Sequence, residues 1–212
     1  MKIVLASNSP RRKELLQGLG IPFDVLVLQG IDESYPADLP AAEVAEYISR
    51  KKACAYLQWS AKPIANQEET IILTADTVVV CGGDILGKPH NEEEAVSMLR
   101  KLSGKTHQVY TGYCLTPLSS SSEQPLPSSS EQPQSSPLGQ RSGTVCTDVT
   151  FKVLSDEEIL HYVRNFKPFD KAGAYGIQEW IGYIGITGIK GSYYNVMGLP
   201  VQRIYEELRK MG

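Results

Sequence analysis

Cysteine and histidine are scarce in this chain of 212 residues, which carries four of the first and three of the second. Cys54, Cys81, Cys114 and Cys146 are widely spaced with no Cys-x-x-Cys pair. That pattern indicates neither a zinc site nor a disulfide scaffold, and reduced thiols in a cytoplasm are the expectation. Basic excess is missing too: 21 Lys and Arg stand against 24 Asp and Glu, a formal net charge of -3. A nucleic-acid groove or an anionic membrane surface is therefore not the expected main partner, and positive charge must act locally. There is no signal-peptide core and no run of 18 apolar residues, so nothing points to export or membrane insertion. What is present is 42% apolar residues, ample for a core in one large domain or two small ones.

Strand and helix signals alternate, which places the chain in the α/β class. Ile3 to Ala6 reads as a buried strand, and a helix opens at about Pro10 after an N-cap at Ser9, with Leu15, Leu16 and Leu19 as its apolar stripe. Phe23 to Leu28 reads as a strand, Leu28 to Pro40 as a polar loop, Ala41 to Leu57 as a strong helix and Thr70 to Cys81 as a long apolar strand. Asn91 with Glu94, and Ser155 with Glu158, are capping signatures for helices ending near Ser103 and Phe166. His107 to Leu115 and Thr144 to Val153 look like strands, and a last helix runs from about Val201 to Lys210.

Between the last two strands, residues 117–143 include Ser120-Ser121-Ser122-Glu123-Gln124-Pro125, nearly repeated from Ser128 to Pro133. Such a segment cannot bury a core, so it is expected to be a disordered insertion in a hairpin. Loop closure costs only about 0.6 kcal/mol per doubling of length, so the fold tolerates it. In an antiparallel pairing of its flanks, Cys114 and Cys146 are expected to lie close together as two buried thiols.

The first helix carries Arg11, Arg12 and Lys13 in its first turn, where free N–H groups and the helix dipole are already positive. Each such charge costs roughly 0.3–1 kcal/mol. The simplest reason is an anionic ligand that collects the N–H groups and the guanidinium forks together, with a solvated basic turn as the alternative. Asp76 sits in an apolar strand, where an ionised carboxylate costs several kcal/mol unless a cation or donors compensate. It reads as a general base or metal ligand, or as a structural Asp held by backbone N–H groups. Lys52, one turn beyond Ile48 on the inward stripe of its helix, is a candidate partner, although a lysine there can simply snorkel. Lys88 in Gly87-Lys88-Pro89 and the acidic pair Asp32-Glu33 are weaker signals. In Asp170-Lys171-Ala172-Gly173-Ala174-Tyr175-Gly176-Ile177-Gln178, two glycines permit close backbone approach, Lys171 can meet phosphate and the Gln178 amide can read a base edge.

Five segments, Ser7-Asn8-Ser9-Pro10-Arg11-Arg12, Ala75-Asp76-Thr77, Gly87-Lys88-Pro89, Asp170 to Gln178 and Asn195-Val196-Met197-Gly198-Leu199-Pro200, occur in order. Together they resemble the Maf family of nucleoside triphosphate pyrophosphatases, in its dTTP- and UTP-acting branch. The resemblance implies a single Maf/ITPase-like α/β domain over residues 1–212, with a long bent mixed sheet, flanking helices and a deep cleft between two lobes. It implies release of pyrophosphate, a divalent cation, magnesium or manganese, and a homodimer. Residue by residue it places the proton acceptor on Asp76 and substrate selection on Arg11, Thr77 and Gln178. It places the phosphate and metal site on Ser7, Arg12, Glu33, Lys52, Lys88 and Lys171, with Glu33 and Asp76 as the metal carboxylates. The chain departs from the family at the insertion and at Glu179-Trp180, where Trp180 is a candidate to reshape the wall near Gln178. A non-catalytic nucleotide sensor linked to cell division is the alternative from another class, and a phosphomonoesterase the alternative among enzymes.

Overall fold

The computed structural model describes residues 2–60, 70–118 and 139–211. In chain order the elements are β1 (Lys2–Leu5), α1 (Pro10–Gln17), β2 (Phe23–Val25), α2 (Ala41–Ser60), β3 (Thr70–Cys81), β4 (Asp84–Leu86), α3 (Glu92–Leu102), β5 (Thr106–Leu118), β6 (Arg141–Phe151), α4 (Asp156–Phe166), α5 (Trp180–Gly185), β7 (Ile186–Lys190), α6 (Tyr193–Met197) and α7 (Val201–Arg209). The strands form one mixed sheet in the order β2-β1-β3-β5-β6-β7, with β4 also on β3. The β2, β1 and β3 strands run parallel, and every other pairing is antiparallel.

The helix starts expected from the sequence are present. Asn91 Oδ1 accepts from the Glu94 N–H at 2.8 Å, and Ser155 with Glu158 forms a reciprocal capping box. The sheet is covered on two faces because β3 alternates. Ala75 and Val79 join the larger core with Leu5, Leu73, Leu99, Val109 and Phe151, whereas Val78 and Val80 pack under Val44, Ala45 and Ile48 of α2. The α2 helix crosses directly over β5 at Gly112. A Cβ there would lie 2.2 Å from the backbone between Ala45 and Glu46, so only glycine permits this approach. Cys81 pairs with Asp84 across Gly82 and Gly83, both at positive φ, as a two-residue hairpin turn requires.

Three expectations need correction. The second strand ends at Val25 rather than Leu28. The flanks of the insertion do pair, from Leu115 with Arg141 to Thr106 with Thr150, but in this register Cys114 faces Ser142 and Cys146 faces Tyr110. The two cysteines are thus four residues out of step; Cys114 is buried and Cys146 exposed. Trp180 packs on α4, its ring 4.7 Å from that of His161 and 6.5 Å from that of Phe166, and it lines neither of the two cavities described below, so it does not form the wall near Gln178. The Ser/Pro/Gln-rich stretch 119–138 lies outside the described residues, and its expected disorder with it. Among the described residues, no helix is long and apolar enough to cross a membrane.

Candidate active site

One edge of β3 is paired by β5 from Thr70 to Val80. On the other edge, β1 takes Thr70 to Leu73 and β4 takes Val79 to Cys81, so residues 74–78 face a break in the sheet. Two cavities meet at that break. The smaller, about 120 Å³, is lined by Asp76, Thr77, Val79, Val109, Lys171, Tyr175, Gln178 and Met197 among others. The larger, about 460 Å³, reaches from Ser7 and the start of α1 to Glu33 and Tyr56. Ser9, Arg11, Arg12, Lys52, Lys88 and Asp170 line both. All ten site residues expected from the sequence, namely Ser7, Arg11, Arg12, Glu33, Lys52, Asp76, Thr77, Lys88, Lys171 and Gln178, therefore line one cleft.

At its floor the Lys52 ammonium lies 2.8 Å from Asp76 Oδ1 and 2.9 Å from Glu33 Oε1. The helical spacing that put Lys52 one turn past Ile48 sends it inward, while its neighbour Lys51 turns out to Asp32 at 2.6 Å. Burial pushes the Glu33 carboxyl up, but the Lys52 hydrogen bond and the charges of Lys52, Lys88 and Arg12 outweigh it and hold it below its ordinary value. Asp76 and Lys52 keep only 15% and 12% of their side-chain surface exposed, so this is a nearly desolvated ion pair.

The two arginines of α1 do different things. Arg12 donates from Nε to Gly198 C=O at 2.8 Å, from Nη1 to Ala75 C=O at 2.8 Å and from Nη2 to Thr77 Oγ1 at 3.1 Å. It ties the start of α1 to β3 and to the turn after α6, with burial holding its pKa below the ordinary value. Arg11 spans the cleft to Asp170 at 2.7 Å. Lys171 is buried between Asp170 at 2.8 Å and Glu179 at 3.0 Å, and Glu179 also accepts from the Tyr162 hydroxyl. Although burial opposes it, the hydrogen bonds from Lys171 and Arg11 draw the Asp170 carboxyl down to about 2. The Gln178 Oε1 atom is buried with no hydrogen-bond partner.

Sequence reasoning missed Asp170 as a cleft residue because at the head of a glycine-rich run it reads as a turn cap. It also missed Thr111, and it named Asn195 only within a segment and gave it no role; the hydrogen bonds of both stand behind Thr77. A threonine in a strand carries no signal of its own, and only the pairing of Thr77 with Thr111 reveals it. Glu179, noted as a departure from the family, proves to be a half-buried partner of the buried Lys171.

No set of three His, Cys, Asp or Glu side chains among the described residues could hold a metal ion by itself. Glu33 and Asp76, oxygen donors converging on one ammonium, fit a hard cation whose other ligands come from a polyanionic ligand.

Cations and a helix start on one side, paired carboxylates on the floor and an unpaired amide oxygen beyond them define a site for a polyanion carrying a polar planar group. Comparison with known proteins agrees with that class: the sequence model described as Maf-like protein matches residues 2–211, and the chain belongs to that family. A dTTP/UTP pyrophosphatase of Phocaeicola vulgatus is 54% identical over 210 residues, 99% of this chain and 96% of that protein. Proteins of the same name from Bacteroides thetaiotaomicron and Porphyromonas gingivalis are 52% and 48% identical, covering 99% and 100% of this chain and 96% and 94% of their own. A solved nucleoside-triphosphatase / dITP/XTP pyrophosphatase of Mycobacterium abscessus aligns with 99% of this chain and 92% of its own at 11% identity, with a TM-score of 0.37, too slight a likeness to argue from.

Proposed function

We propose that this protein hydrolyses dTTP and UTP to the nucleoside monophosphate and pyrophosphate. The single observation that carries the reading is the Asp76–Lys52–Glu33 cluster at the floor of a cationic cleft, and the names of the relatives support it. In this reading the triphosphate lies over the start of α1, held by the positive end of that helix and by Arg11 and Lys88. Arg12, with three donors already on protein oxygens, fixes the α1 start against β3 and presents its remaining N–H groups. Asp76 takes a proton from the water that attacks the α-phosphorus; the bond to the bridging oxygen breaks in line and pyrophosphate departs with that oxygen. Lys52 holds both carboxylates in place. Glu33 and Asp76 would hold a magnesium ion, which would neutralise phosphate charge when bound. The unpartnered Gln178 oxygen lies toward the nucleoside end of the cleft, where a wrong substrate would leave that buried acceptor unpaired. A cytoplasmic homodimer completes the proposal, its oligomeric state open to sedimentation analysis.

Incubating the pure protein with a panel of nucleoside triphosphates, with and without magnesium, and separating pyrophosphate from orthophosphate tests the reading. Metal-dependent pyrophosphate from dTTP and UTP is expected. Orthophosphate as the first product would make the protein a phosphomonoesterase instead, and binding without turnover would make it a sensor.

A further inference from the structure

The break in the sheet leaves main-chain groups facing the smaller cavity, and their direction follows from two hydrogen bonds. In a regular strand the N–H and C=O of one residue point to the same edge, and successive residues alternate. Ala6 N–H donates to Leu73 C=O at 2.9 Å and Arg12 Nη1 donates to Ala75 C=O at 2.8 Å. Odd-numbered residues of β3 therefore face the β1/β4 edge. Thr77 has no strand beside it on that edge, and among the described residues no main-chain bond outside the strand ladders reaches its N–H or C=O, so by this alternation both groups point into the break.

The Thr77 side chain is already committed. The Thr111 hydroxyl donates its one proton to Asn195 C=O at 2.9 Å. In the 3.0 Å contact between the two threonine hydroxyls, Thr77 must then be the donor, and it accepts from Arg12 Nη2 at 3.1 Å. With that proton used, the donor–acceptor pair that position 77 can offer a ligand is its main chain. Phosphate supplies acceptors only and would leave the C=O bare, whereas an imide edge, C=O beside N–H, matches both groups.

Resting on the pyrimidine reading above, we infer that the Thr77 main chain pairs with the N3–H and adjacent carbonyl of uracil or thymine as a neighbouring strand would. The base thereby fills the break in the sheet, flanked by Val79, Val109 and Met197. Arg12, Thr111 and Asn195 are positioning residues that keep the hydroxyl of Thr77 turned away.

Amide hydrogen exchange with the non-hydrolysable α,β-imido-UTP tests this without any turnover. In the free protein the Thr77 amide should exchange faster than those of Leu73 and Val79, and bound nucleotide should slow it about tenfold or more beyond the global change. An unchanged Thr77 amide in a saturated complex overturns the inference. In parallel, kcat/KM for 3-methyl-UTP should fall about 100-fold below that for UTP, while 5-methyl-UTP stays close to UTP. Thr77→Val should lower all three alike, and that selectivity should survive in Gln178→Ala. Collapse of the selectivity in Thr77→Val would make the hydroxyl the reader, and collapse in Gln178→Ala would make the amide the reader; either sinks the main-chain assignment. If UTP is not hydrolysed, the functional reading fails, yet protection of Thr77 by imido-UTP would still uphold the pairing; absence of both binding and protection would end both.

Discussion

Asp76 and Glu207 are both carboxylates with little exposed surface, 15% and 9% of the side chain, yet the ion pairs they make in direct contact are balanced in opposite ways. Glu207, on α7, is met by Arg141 at 3.2 Å, Lys210 at 2.9 Å and Arg203 at 3.8 Å. Three cations serve one carboxylate there, each with 41–52% of its side chain exposed. At the cleft floor one ammonium serves two carboxylates, Asp76 and Glu33, against a cavity. An over-supplied carboxylate is an electrically closed structural tie. An under-supplied pair facing open space leaves a position for a further cation and for chemistry.

The largest effect that contrast predicts is on turnover. Asp76→Asn should lower kcat at least about 100-fold while nucleotide still binds, since general-base assistance is typically worth 10² to 10⁴-fold. Single-turnover pyrophosphate release measures it, and near-normal turnover would falsify the assignment of Asp76. Next comes the helix that delivers Lys52. In Gly112→Ala the new Cβ would overlap the α2 backbone, so α2 must move off β5 and draw Lys52 from its two carboxylates. Overpacking of this kind costs about 1–3 kcal/mol. Urea unfolding should show that loss alongside reduced kcat/KM, and a variant unchanged in both would mean that α2 has slack and Lys52 needs no exact seat.

Much of this was legible in the sequence, and for local reasons. Caps, apolar stripes and the turn at Gly82-Gly83 act within a few residues, so α1, α3, α4 and β3 could be read from spacing alone. The resemblance to the Maf family named ten residues that do line one cleft. Strand register is set by alignment over long distances, and so the expected closeness of Cys114 and Cys146 failed. The division of labour between Arg11 and Arg12 was also hidden. Two adjacent arginines look alike in a sequence, and only the positions of Ala75, Gly198 and Asp170 turn one into a strut and the other into a clasp across the cleft.

Between the open and closed carboxylates stands His107, a buried polar group with no charge partner in contact. Its Nε2 lies 2.7 Å from the Tyr175 hydroxyl, and its Nδ1 has no hydrogen-bond partner. Burial holds the imidazole down from 6.5 to about 4, against a weaker upward pull from Asp148. The unfolded chain therefore takes a proton that the folded chain refuses. The stability contributed by the neutral ring is intact above pH 6.5, drains as the pH falls toward 4, and is flat below that. The loss between pH 7 and pH 5 is about 2 kcal/mol. Urea unfolding at both pH values should show this slope in the parent and a slope smaller by that amount in His107→Gln. Equal slopes would mean that the folded protein admits the proton, and that this polar pair is not the sealed one its burial implies.

The smallest effect belongs to Glu207, and it closes the contrast with Asp76. Glu207→Gln keeps the shape and removes the charge that three cations share. Those cations are half in water, so each can resolvate, and the cost should be about 1 kcal/mol rather than the several expected where the partners are buried too. For a chain of this size that is roughly a 2–4 °C fall in melting temperature. High salt should weaken the parent by a similar amount and the variant less, because partly exposed pairs are screened. Turnover should be untouched, since Glu207 lines neither cavity of the cleft. A variant that kept its melting temperature but lost kcat would reverse the assignment: the closed carboxylate would then be coupled to the cleft, through Arg141 and the β5–β6 pair that runs back beside Thr77, and charge balance alone would not separate structural from chemical carboxylates in this fold.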